Sequence, residues 1–452
     1  MPNWLCSIRS QTSVKGLFMR DYVLGLIILG LASYGLLHPW LGILGWTWIS
    51  IMNPHAYSWG LTSMPVAATI AISILLGLVL TKDRRNFFVT RETIVLMSFM
   101  LWMCITLPFS FSFDESYPLW NRVMKIDLMV LAAMVVLHSK KHITMLTWVL
   151  VGSLGFYGVK GGFFTLATGG VYRVWGPEGS YIGGNNEVAL ALVMIIPLMR
   201  FLQLTTESVW VKRGLLLSML LCAAAALGSQ SRGAFLAIAA MAGVFWWRSD
   251  KKVVVAGLLV LAGVALLSFM PDTWWARMDS IGSYQDDSSA NGRINAWWMA
   301  WNLAKANFFG GGFMVYRPDL FALYAPNPSD VHAAHSIYFM VLGEHGFVGL
   351  FLFLLLWYFV WRSAERLRIE GQKLPQTQWL SHLGAMCQVS LAGYAVGGAF
   401  LSLAYYDLPY NILILVVLGC RWMDGQEWIK AAQAQTIKQR SPLSKKASPI
   451  PQ

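Results

Sequence analysis

The chain alternates between long apolar runs and short polar gaps along most of its 452 residues. A helix needs roughly 20 apolar residues to cross the hydrocarbon core of a bilayer. The runs therefore predict an all-α, polytopic integral membrane protein with about twelve transmembrane helices and one large external loop that carries short helices. The predicted spans are Tyr22–Ile51, Leu61–Leu80, Thr93–Phe111, Leu119–His138, Ile143–Leu166, Glu187–Leu204, Gly214–Leu227, Gly233–Trp247, Val253–Met270, Ser336–Trp361, Leu380–Leu403 and Leu408–Arg421.

The first apolar run is longer than one crossing needs and is interrupted at His38 and Pro39. A hairpin is one alternative, but two crossings would move the basic stretch Lys82–Arg85 to the external side. We therefore predict one net crossing with a kinked or re-entrant portion, and both termini on the cytoplasmic side. No small-residue cleavage pattern follows Tyr22–Leu37, so we predict an uncleaved first span.

Lysine and arginine residues occupy every second gap between the apolar runs. Cytoplasmic loops collect these residues by the positive-inside rule, so these gaps are predicted to face the cytoplasm. Arg173, Arg232, Arg293 and His335 then fall on the opposite side, where topology disfavours positive charge, which indicates an anionic ligand there. The basic gaps contain Arg9, Lys15, Arg20, Lys82, Arg84, Arg85, Lys140, Lys141, Lys212, Arg213, Arg248, Lys251, Lys252, Arg362, Arg366, Arg368 and the tail from Arg421 to Lys446.

Composition supports the membrane class, because 56% of the residues are hydrophobic and only 12% are charged. The net charge of +12 indicates contact with anionic lipid headgroups rather than with nucleic acid. The five cysteines lack metal-ligand spacing. Asp286 and Asp287 are adjacent, with no His or Cys to complete a site. We predict no metal and no cofactor.

The predicted domains follow the charge pattern. The large external loop contains Asn291–Ala306, which predicts a short helix with Trp297, Trp298 and Trp301 on one face. That face would lie on the membrane surface or cap a cavity. The predicted units are transmembrane helices with short external loops (1–270), the large external loop (271–335), further transmembrane helices (336–424) and a basic, disordered cytoplasmic tail (425–452).

The most informative polar stretch runs from His332 through His335 and Tyr338 to Glu344. His335 lies at the start of a predicted membrane helix, at its external end, and Tyr338 lies one turn further on. A helix N-terminus favours anions, and a histidine with a reference pKa of about 6.5 can act as a base near neutral pH. The alternative is an interfacial histidine that only hydrogen-bonds to backbone.

Three arginines are candidate anion ligands. Arg232 lies in a very short external turn, where the alternative is an arginine that reaches the headgroup phosphates. Arg293 precedes the aromatic helix and could bind phosphate oxygens through two parallel N–H groups, or could be a surface charge. Arg173 lies in a glycine-rich external loop with Asn185 and Asn186, a pattern that is also ordinary between spans.

These residues resemble the O-antigen ligase superfamily, which includes lipopolysaccharide O-antigen ligases, some O-antigen polymerases and bacterial protein O-oligosaccharyltransferases. The resemblance rests on His335-Ser336 followed by Gly346, on Arg232 within Ser-Arg-Gly, and on Arg293 before a Trp-rich helix. Arg20–Leu80 and Gly176–Pro197 are similar to exosortase-associated O-glycosylation ligases. Ser336 is a departure, because the family often has Asn there.

The resemblance implies an inverting, metal-independent glycosyltransferase of GT-C-like type in the bacterial inner membrane. Its donor would be a glycan on undecaprenyl diphosphate at the periplasmic face, and its acceptor lipid A–core. His335 would activate the acceptor hydroxyl, while Arg232 and Arg293, with Arg173 as a further candidate, would bind the diphosphate. The supporting residues would be Tyr338, Glu344, His332, Asn185 and Asn186.

Three alternatives remain open from the sequence. The same donor chemistry could serve a protein O-oligosaccharyltransferase, whose acceptor is a protein hydroxyl, or an O-antigen or exopolysaccharide polymerase, whose acceptor is another glycan. A lipid-linked glycan transporter is a different class, but transporters usually show paired repeats and broken helices at mid-membrane. The chain shows no internal repeat.

Overall fold

The computed structural model describes residues 4–58, 60–61, 64–81, 89–249, 251–268, 270–279 and 288–429. Every regular element in these ranges is helical. Lys82–Arg85, Asp286–Asp287 and residues 430–452 of the predicted tail lie outside the described residues. The α-helices are α1 (Trp4–Leu37), α2 (Pro39–Met52), α3 (Val66–Leu80), α4 (Arg91–Thr106), α5 (Phe113–Val136), α6 (Lys140–Ala167), α7 (Asn185–Thr205), α8 (Val209–Gly228), α9 (Arg232–Trp247), α10 (Lys252–Leu267), α11 (Asp272–Asp279), α12 (Ser288–Ala306), α13 (Pro318–Tyr324), α14 (Ile337–Gly371), α15 (Gln378–Gly397) and α16 (Asp407–Asp424).

Seven helical segments in the described ranges are long and apolar enough to cross a membrane, judged by length and composition. The shorter helices α3, α9 and α10 are also apolar. The prediction of an all-helical, multi-pass membrane protein is therefore confirmed, while the count of about twelve crossings stays a prediction. Predicted spans also coincide with α2, α5 and α16, which are shorter or carry more charged side chains.

α1 and α2 form a helical hairpin at the predicted interruption. Pro39 begins α2, and His38 before it leaves the helical region with φ −131° and ψ 80°, because a residue that precedes proline is disfavoured in the α conformation. A Cβ added to Gly42 would lie only 2.8 Å from the Cα of Gly35. The two glycines therefore let the helix backbones touch after the chain folds back.

The hairpin corresponds to the predicted kinked or re-entrant portion, while the net number of crossings in this run stays a prediction. Its turn lies beside the Lys140 end of α6, where the Trp40 and His142 rings stack at 4.9 Å. The other end of α2 lies further along α6, because the Tyr157 hydroxyl donates to the Met52 carbonyl. Met19 of α1 borders the same cavity as Lys160. Residues 19–52 thus run along α6 twice, so the beginning of the α1 span lies at the opposite end from Lys140.

The centre of the bundle is formed by helices that are apolar on all sides. All residues of α7 from Val188 to Ile195 are buried, and so are those of α16 from Leu408 to Leu418. A helix without a polar face is stable only when other helices surround it. The surrounding helices begin at serine N-caps: Ser139, Ser208 and Ser231 accept backbone N–H bonds at the starts of α6, α8 and α9.

Four of the basic gaps meet at one end of this bundle. Arg248 after α9 forms an ion pair with Glu365 of α14 at 2.6 Å, and Arg366 forms one with Asp424 at the end of α16 at 2.6 Å. The Lys140 ammonium lies 5.2 Å from the ring centroid of Trp379 at the start of α15. These gaps therefore lie at one end of the helices, as positive-inside sorting requires, whereas Arg20 borders the same cavity as Lys160 towards the other end.

α14 is interrupted at Gly346, which has φ 65° and ψ −169°. The freed carbonyls of Gly343 and Glu344 accept hydrogen bonds from the N–H groups of Gly311 and Gly312, each at 2.9 Å. A Cβ at position 346 would lie 2.5 Å from the Phe308 carbonyl oxygen. Glycine is therefore required at the break, which separates a short segment after Ile337 from the long remainder of α14.

A second, smaller core lies at the other end of the bundle and is built on α12. One face of α12 packs with α13 and the intervening loop through Ala296, Met299, Leu303, Val315, Leu320 and Phe321. The predicted helix Asn291–Ala306 is confirmed and begins three residues earlier. Its aromatic face points away from this core, as described below.

Candidate functional site

His335 is held in an unusual backbone conformation immediately before α14. Its φ is 42°, in the left-handed region that non-glycine residues rarely occupy. Ser336 is the N-cap residue of α14, but its side chain makes no capping hydrogen bond. His335 therefore lies at the start of the helix, as predicted, and is the residue that turns the chain into it. Such strain persists only where surrounding contacts enforce it.

α12 supplies those contacts. The Trp297 indole N–H donates to the Ala334 carbonyl at 2.7 Å, and its ring stacks on Phe339 at 5.0 Å with an interplanar angle of 6°. The buried Asn295 side chain donates to the carbonyls of Asn327 and Asp330 at 2.8 and 2.9 Å. Side chains of α12 thus fix the loop before His335 and the helix after it.

His332 packs against Gly292, the residue before Arg293. A Cβ on Gly292 would lie 2.5 Å from His332 Nδ1, so only glycine leaves room for the imidazole there. His332 Nδ1 lies 2.8 Å from Asp330 Oδ1, an ion-pair distance without hydrogen-bond alignment. Gly292 therefore brings a second histidine to the N-terminal end of α12.

Arg293 and His335 lie within electrostatic range of each other, and Arg293 also interacts with Glu187 at the start of α7. We call Glu187, Arg293 and His335 the His335 cluster. Burial lowers the pKa of His335 to about 4, and the charges of Arg293 and His332 add to the shift. Its Nδ1 is buried and has no hydrogen-bond partner among the described residues. The imidazole is therefore neutral at physiological pH.

Arg232 is the first residue of α9, directly after a tight turn formed by residues 228–231. Ser231 caps the helix by accepting from the Ala234 N–H at 3.2 Å. Gln230 has φ 58°, and its side-chain amide donates to the Gly170 and Val171 carbonyls at 3.1 and 3.2 Å. The turn is thus clamped to the loop that carries Arg173.

Arg173 reaches the same turn. Its Nε lies 3.3 Å from Gln230 Oε1, and the next residue, Val174, donates its N–H to the Gly228 carbonyl. The structure therefore places Arg173 beside the turn that leads into Arg232, although the two residues are far apart in the sequence.

The start of α7 connects the two arginine regions. Asn185 is buried, and its side-chain amide donates to the Ser229 carbonyl at 2.8 Å, which ties α7 to the turn before Arg232. Glu187 follows within the same helical turn and faces Arg293. Asn186 lies between them and is partly exposed. The structure thus brings Asn185, Arg173, Arg232, Arg293 and His335 to one end of the bundle.

Two of the predicted supporting residues point elsewhere. The Tyr338 hydroxyl donates to the Ala395 carbonyl of α15 at 2.8 Å. Glu344 lies near the Gly346 break, where it accepts from the Tyr405 hydroxyl at 2.6 Å and from the Met314 N–H at 3.3 Å. Helical rise separates Glu344 from His335 by about 13 Å. Both side chains join helices and loops rather than extend the His335 cluster.

The outer face of α12 lines an apolar groove next to Arg293. The groove has a volume of about 430 Å³ and contains almost no polar surface. We call it the aromatic groove, and it is lined by Ile294, Trp297, Trp298, Trp301 and Phe339. The Trp298 side chain is 53% exposed, which is unfavourable in water and is typical of a surface that contacts lipid or a ligand.

Sequence reasoning missed Glu187, Gln230 and Asn295. Glu187 is the first residue of a predicted span. An acidic residue at the edge of a span, directly after two asparagines, is a pattern that indicates a functional site. Gln230 and Asn295 act through backbone contacts to distant loops, which no local pattern reveals. Within the described ranges, no group of three or more His, Cys, Asp or Glu side chains is arranged to hold a metal ion.

Two comparisons with family models cover complementary parts of the chain. Residues 19–207 match a family of unknown function, a stretch that includes Asn185 and Glu187. Residues 217–354 match the model described as O-antigen ligase, a stretch that includes Arg232, Arg293 and His335. A comparison with curated proteins gives no match. This match supports membership of the O-antigen ligase superfamily, and with it a glycosyltransferase-like membrane enzyme of ligase or polymerase type.

Proposed function

We propose that the protein transfers a glycan from undecaprenyl diphosphate to lipid A–core at the periplasmic face of the inner membrane, with inversion and without a metal ion. The observation that carries the proposal is the His335 cluster: a neutral, strained histidine with an unpartnered ring nitrogen, within electrostatic range of Arg293. A base and a cation held together at a helix start suit the attack of a hydroxyl on a sugar whose leaving group is anionic.

His335 would accept the proton of the acceptor hydroxyl. The hydroxyl oxygen attacks the anomeric carbon while the bond from that carbon to the diphosphate oxygen breaks, so the electron pair leaves with the diphosphate. A positioned base contributes roughly 10²–10⁴-fold to such a step. Burial keeps the imidazole unprotonated, and it becomes a stronger base when an anionic donor offsets the charge of Arg293.

Arg293 and Arg232 would stabilise the charge that develops on the departing diphosphate. Arginine donates in a fork that matches two phosphate oxygens, and Arg173 lies beside the same turn as Arg232. The aromatic groove begins at Ile294, the residue after Arg293. It could accommodate the first isoprene units of the carrier while the rest of the chain stays in lipid.

The His335 cluster is compatible with more than one acceptor. A protein hydroxyl or a second lipid-linked glycan would need the same base and the same cations. The His335 cluster supports the donor side of the reaction in each case, and parallel transfer reactions distinguish the acceptors.

The test is transfer in vitro with purified full-length protein and undecaprenyl-diphosphate glycan, with a chelator in every reaction. Parallel reactions contain lipid A–core, a protein acceptor, or additional lipid-linked glycan alone. We expect the glycan to be transferred to lipid A–core. Product only on another acceptor would reject the lipid A–core assignment but keep the donor chemistry, whereas no transfer in any reaction, restored by a divalent cation, would contradict the metal-independent mechanism.

A further inference from the structure

Another cavity, which has a polar end, lies away from the His335 cluster, between α2, α3 and α5. It has a volume of about 540 Å³. We call it the α5 groove. The residues that line it include Arg122, Lys125, His55, Tyr181 and Asp407 at its polar end and Ala68, Ala71, Ile72 and Leu75 along one wall.

The cations of the α5 groove are presented to the cavity. Arg122 and Lys125 are one helical turn apart on α5 and both are exposed. The Arg122 guanidinium lies 5.6 Å from the ring centroid of Tyr181. Among the described residues, neither cation forms an ion pair within 4 Å, although Asp407 lies within electrostatic range of Arg122. The N–H groups of these two side chains are therefore available to donate hydrogen bonds to an anion.

The same cavity contains acceptors that are buried without partners. Asp407 is 2% exposed, and one of its carboxylate oxygens accepts from the Ser50 hydroxyl. Its other oxygen, Oδ1, and the buried His55 Nδ1 have no hydrogen-bond partner among the described residues. Buried polar atoms cost free energy unless they are bonded, so these atoms indicate a ligand that carries hydroxyl groups.

The remaining wall is apolar and faces outward. Ile72 on α3 is 58% exposed and Leu128 on α5 is 44% exposed. A soluble anion would gain nothing from this wall, whereas a hydrocarbon chain would cover it. The α5 groove thus offers cations, hydroxyl acceptors and an apolar wall in one cavity.

We propose that the α5 groove binds a phosphate-bearing, hydroxylated lipid headgroup, with Arg122 and Lys125 on the phosphate, Asp407 and His55 on the hydroxyls, and the hydrocarbon chain along α3. The site is built almost entirely from the stretch that matches a family of unknown function. We propose it as a binding site and not as a second reaction centre. The proposal does not depend on the glycan transfer proposed above.

The test uses delipidated full-length protein in detergent, and phosphatidylglycerol as the probe, since it combines a phosphate with two hydroxyls. Binding is measured by native mass spectrometry or calorimetry, with phosphatidic acid, phosphatidylcholine and free glycerol 3-phosphate as comparisons. We expect phosphatidylglycerol to bind at least about tenfold more tightly than phosphatidylcholine, because its hydroxyls can form charge-assisted hydrogen bonds with the groove that the choline headgroup cannot form.

The variants separate the parts of the site. Arg122→Gln and Lys125→Gln should each weaken the binding of phosphatidylglycerol about tenfold. Asp407→Asn should reduce the preference for phosphatidylglycerol over phosphatidic acid. Lys160→Gln is the matched control, since Lys160 is an exposed lysine that borders two other cavities, and it should change binding less than twofold.

Three outcomes would overturn the proposal. These are equal binding of phosphatidylglycerol and phosphatidylcholine by the unaltered protein, equal losses in the Lys160 and Lys125 variants, and displacement of the lipid by equimolar glycerol 3-phosphate. The comparison of phosphatidylglycerol with phosphatidylcholine uses the unaltered protein, so the proposal can be rejected even if a variant fails to fold. The third would show that the apolar wall contributes nothing.

Discussion

The His335 cluster and the α5 groove both present cations at polar positions of a membrane protein, but they differ in how the neighbouring side chains are held. At the His335 cluster, Trp297 and Asn295 fix the backbone on which the imidazole sits. In the α5 groove, Arg122 and Lys125 extend from a regular helix into an open cavity.

The difference teaches which arrangement is suited to chemistry and which to binding. A reacting group must be positioned within a fraction of an ångström, and the strained φ of His335 shows that the surrounding structure enforces one position. Flexible cations on a helix face tolerate ligands that vary in shape. The two regions should therefore respond differently to substitution.

Replacing His335 should have the largest effect. His335→Asn removes the base but keeps a residue type that tolerates a positive φ. We expect glycan transfer to fall by roughly 10²–10⁴-fold, with phosphatidylglycerol binding at the α5 groove unchanged. His382→Asn is a matched control, because His382 is a half-buried histidine near Arg200 in another part of the structure. Full transfer activity in the His335 variant would show that His335 is not the reacting base, and the His335 cluster would no longer differ from the α5 groove in taking part in chemistry.

Replacing Arg293 should have the next largest effect. Arg293→Gln removes charge-assisted hydrogen bonds of about 1.5–3 kcal/mol to the diphosphate, which corresponds to a loss of roughly 10–100-fold in kcat/KM. Lys305→Gln near the end of the same helix should stay near the activity of the unaltered protein. Equal losses in the two variants would indicate that general positive charge on α12, rather than a specific contact, supports the reaction.

The break in α14 can be tested through stability. Gly346→Ala places a Cβ in a positive-φ conformation and against the Phe308 carbonyl, so we expect destabilisation of about 1–3 kcal/mol. The measurement is thermal unfolding in detergent, followed by transfer assays. Gly263→Ala is the control, since no atom lies within 4 Å of its added Cβ. An unchanged unfolding temperature in the Gly346 variant would show that the break is not a fixed feature.

The smallest expected effect is a displaced pH profile. Since the pKa of His335 is lowered to about 4, the neutral base persists as the pH falls, and kcat/KM should drop only as the pH approaches that value. Arg293→Gln removes a charge that lowers this pKa, so the acidic limb should move to higher pH. Arg293→Lys retains the charge and should leave the limb in place. A limb that moves equally in both variants would argue against an electrostatic cause.

Much of this architecture could be predicted from the sequence, because its causes are local. Apolar runs predicted the helices, the spacing of three tryptophans predicted the exposed face of α12, and the basic gaps after α5 predicted one end of the bundle. The same pattern marked Arg173, Arg232, Arg293 and His335 as candidates for one end, where the structure places them. Their chemical roles remain predictions.

Other features could not be predicted, because their causes are tertiary contacts. Glu187 acquires significance only through its approach to Arg293, and Gln230 only through the loop it holds. A hairpin in residues 19–52 was one alternative from the sequence, but the charge pattern alone favoured one net crossing. The contact between Gly35 and Gly42 that stabilises the hairpin is visible only after the chain has folded back.

That hairpin has a consequence for biogenesis. α2 has 14 residues and a length of about 21 Å, which is shorter than the roughly 30 Å hydrocarbon core. It is poorly suited to enter the bilayer alone, while its glycine contact with α1 gives it a partner from the start. The insertion machinery would thus receive α1 and α2 as one unit, and a bulky side chain at Gly35 would reduce the yield of inserted protein before any glycan substrate is met.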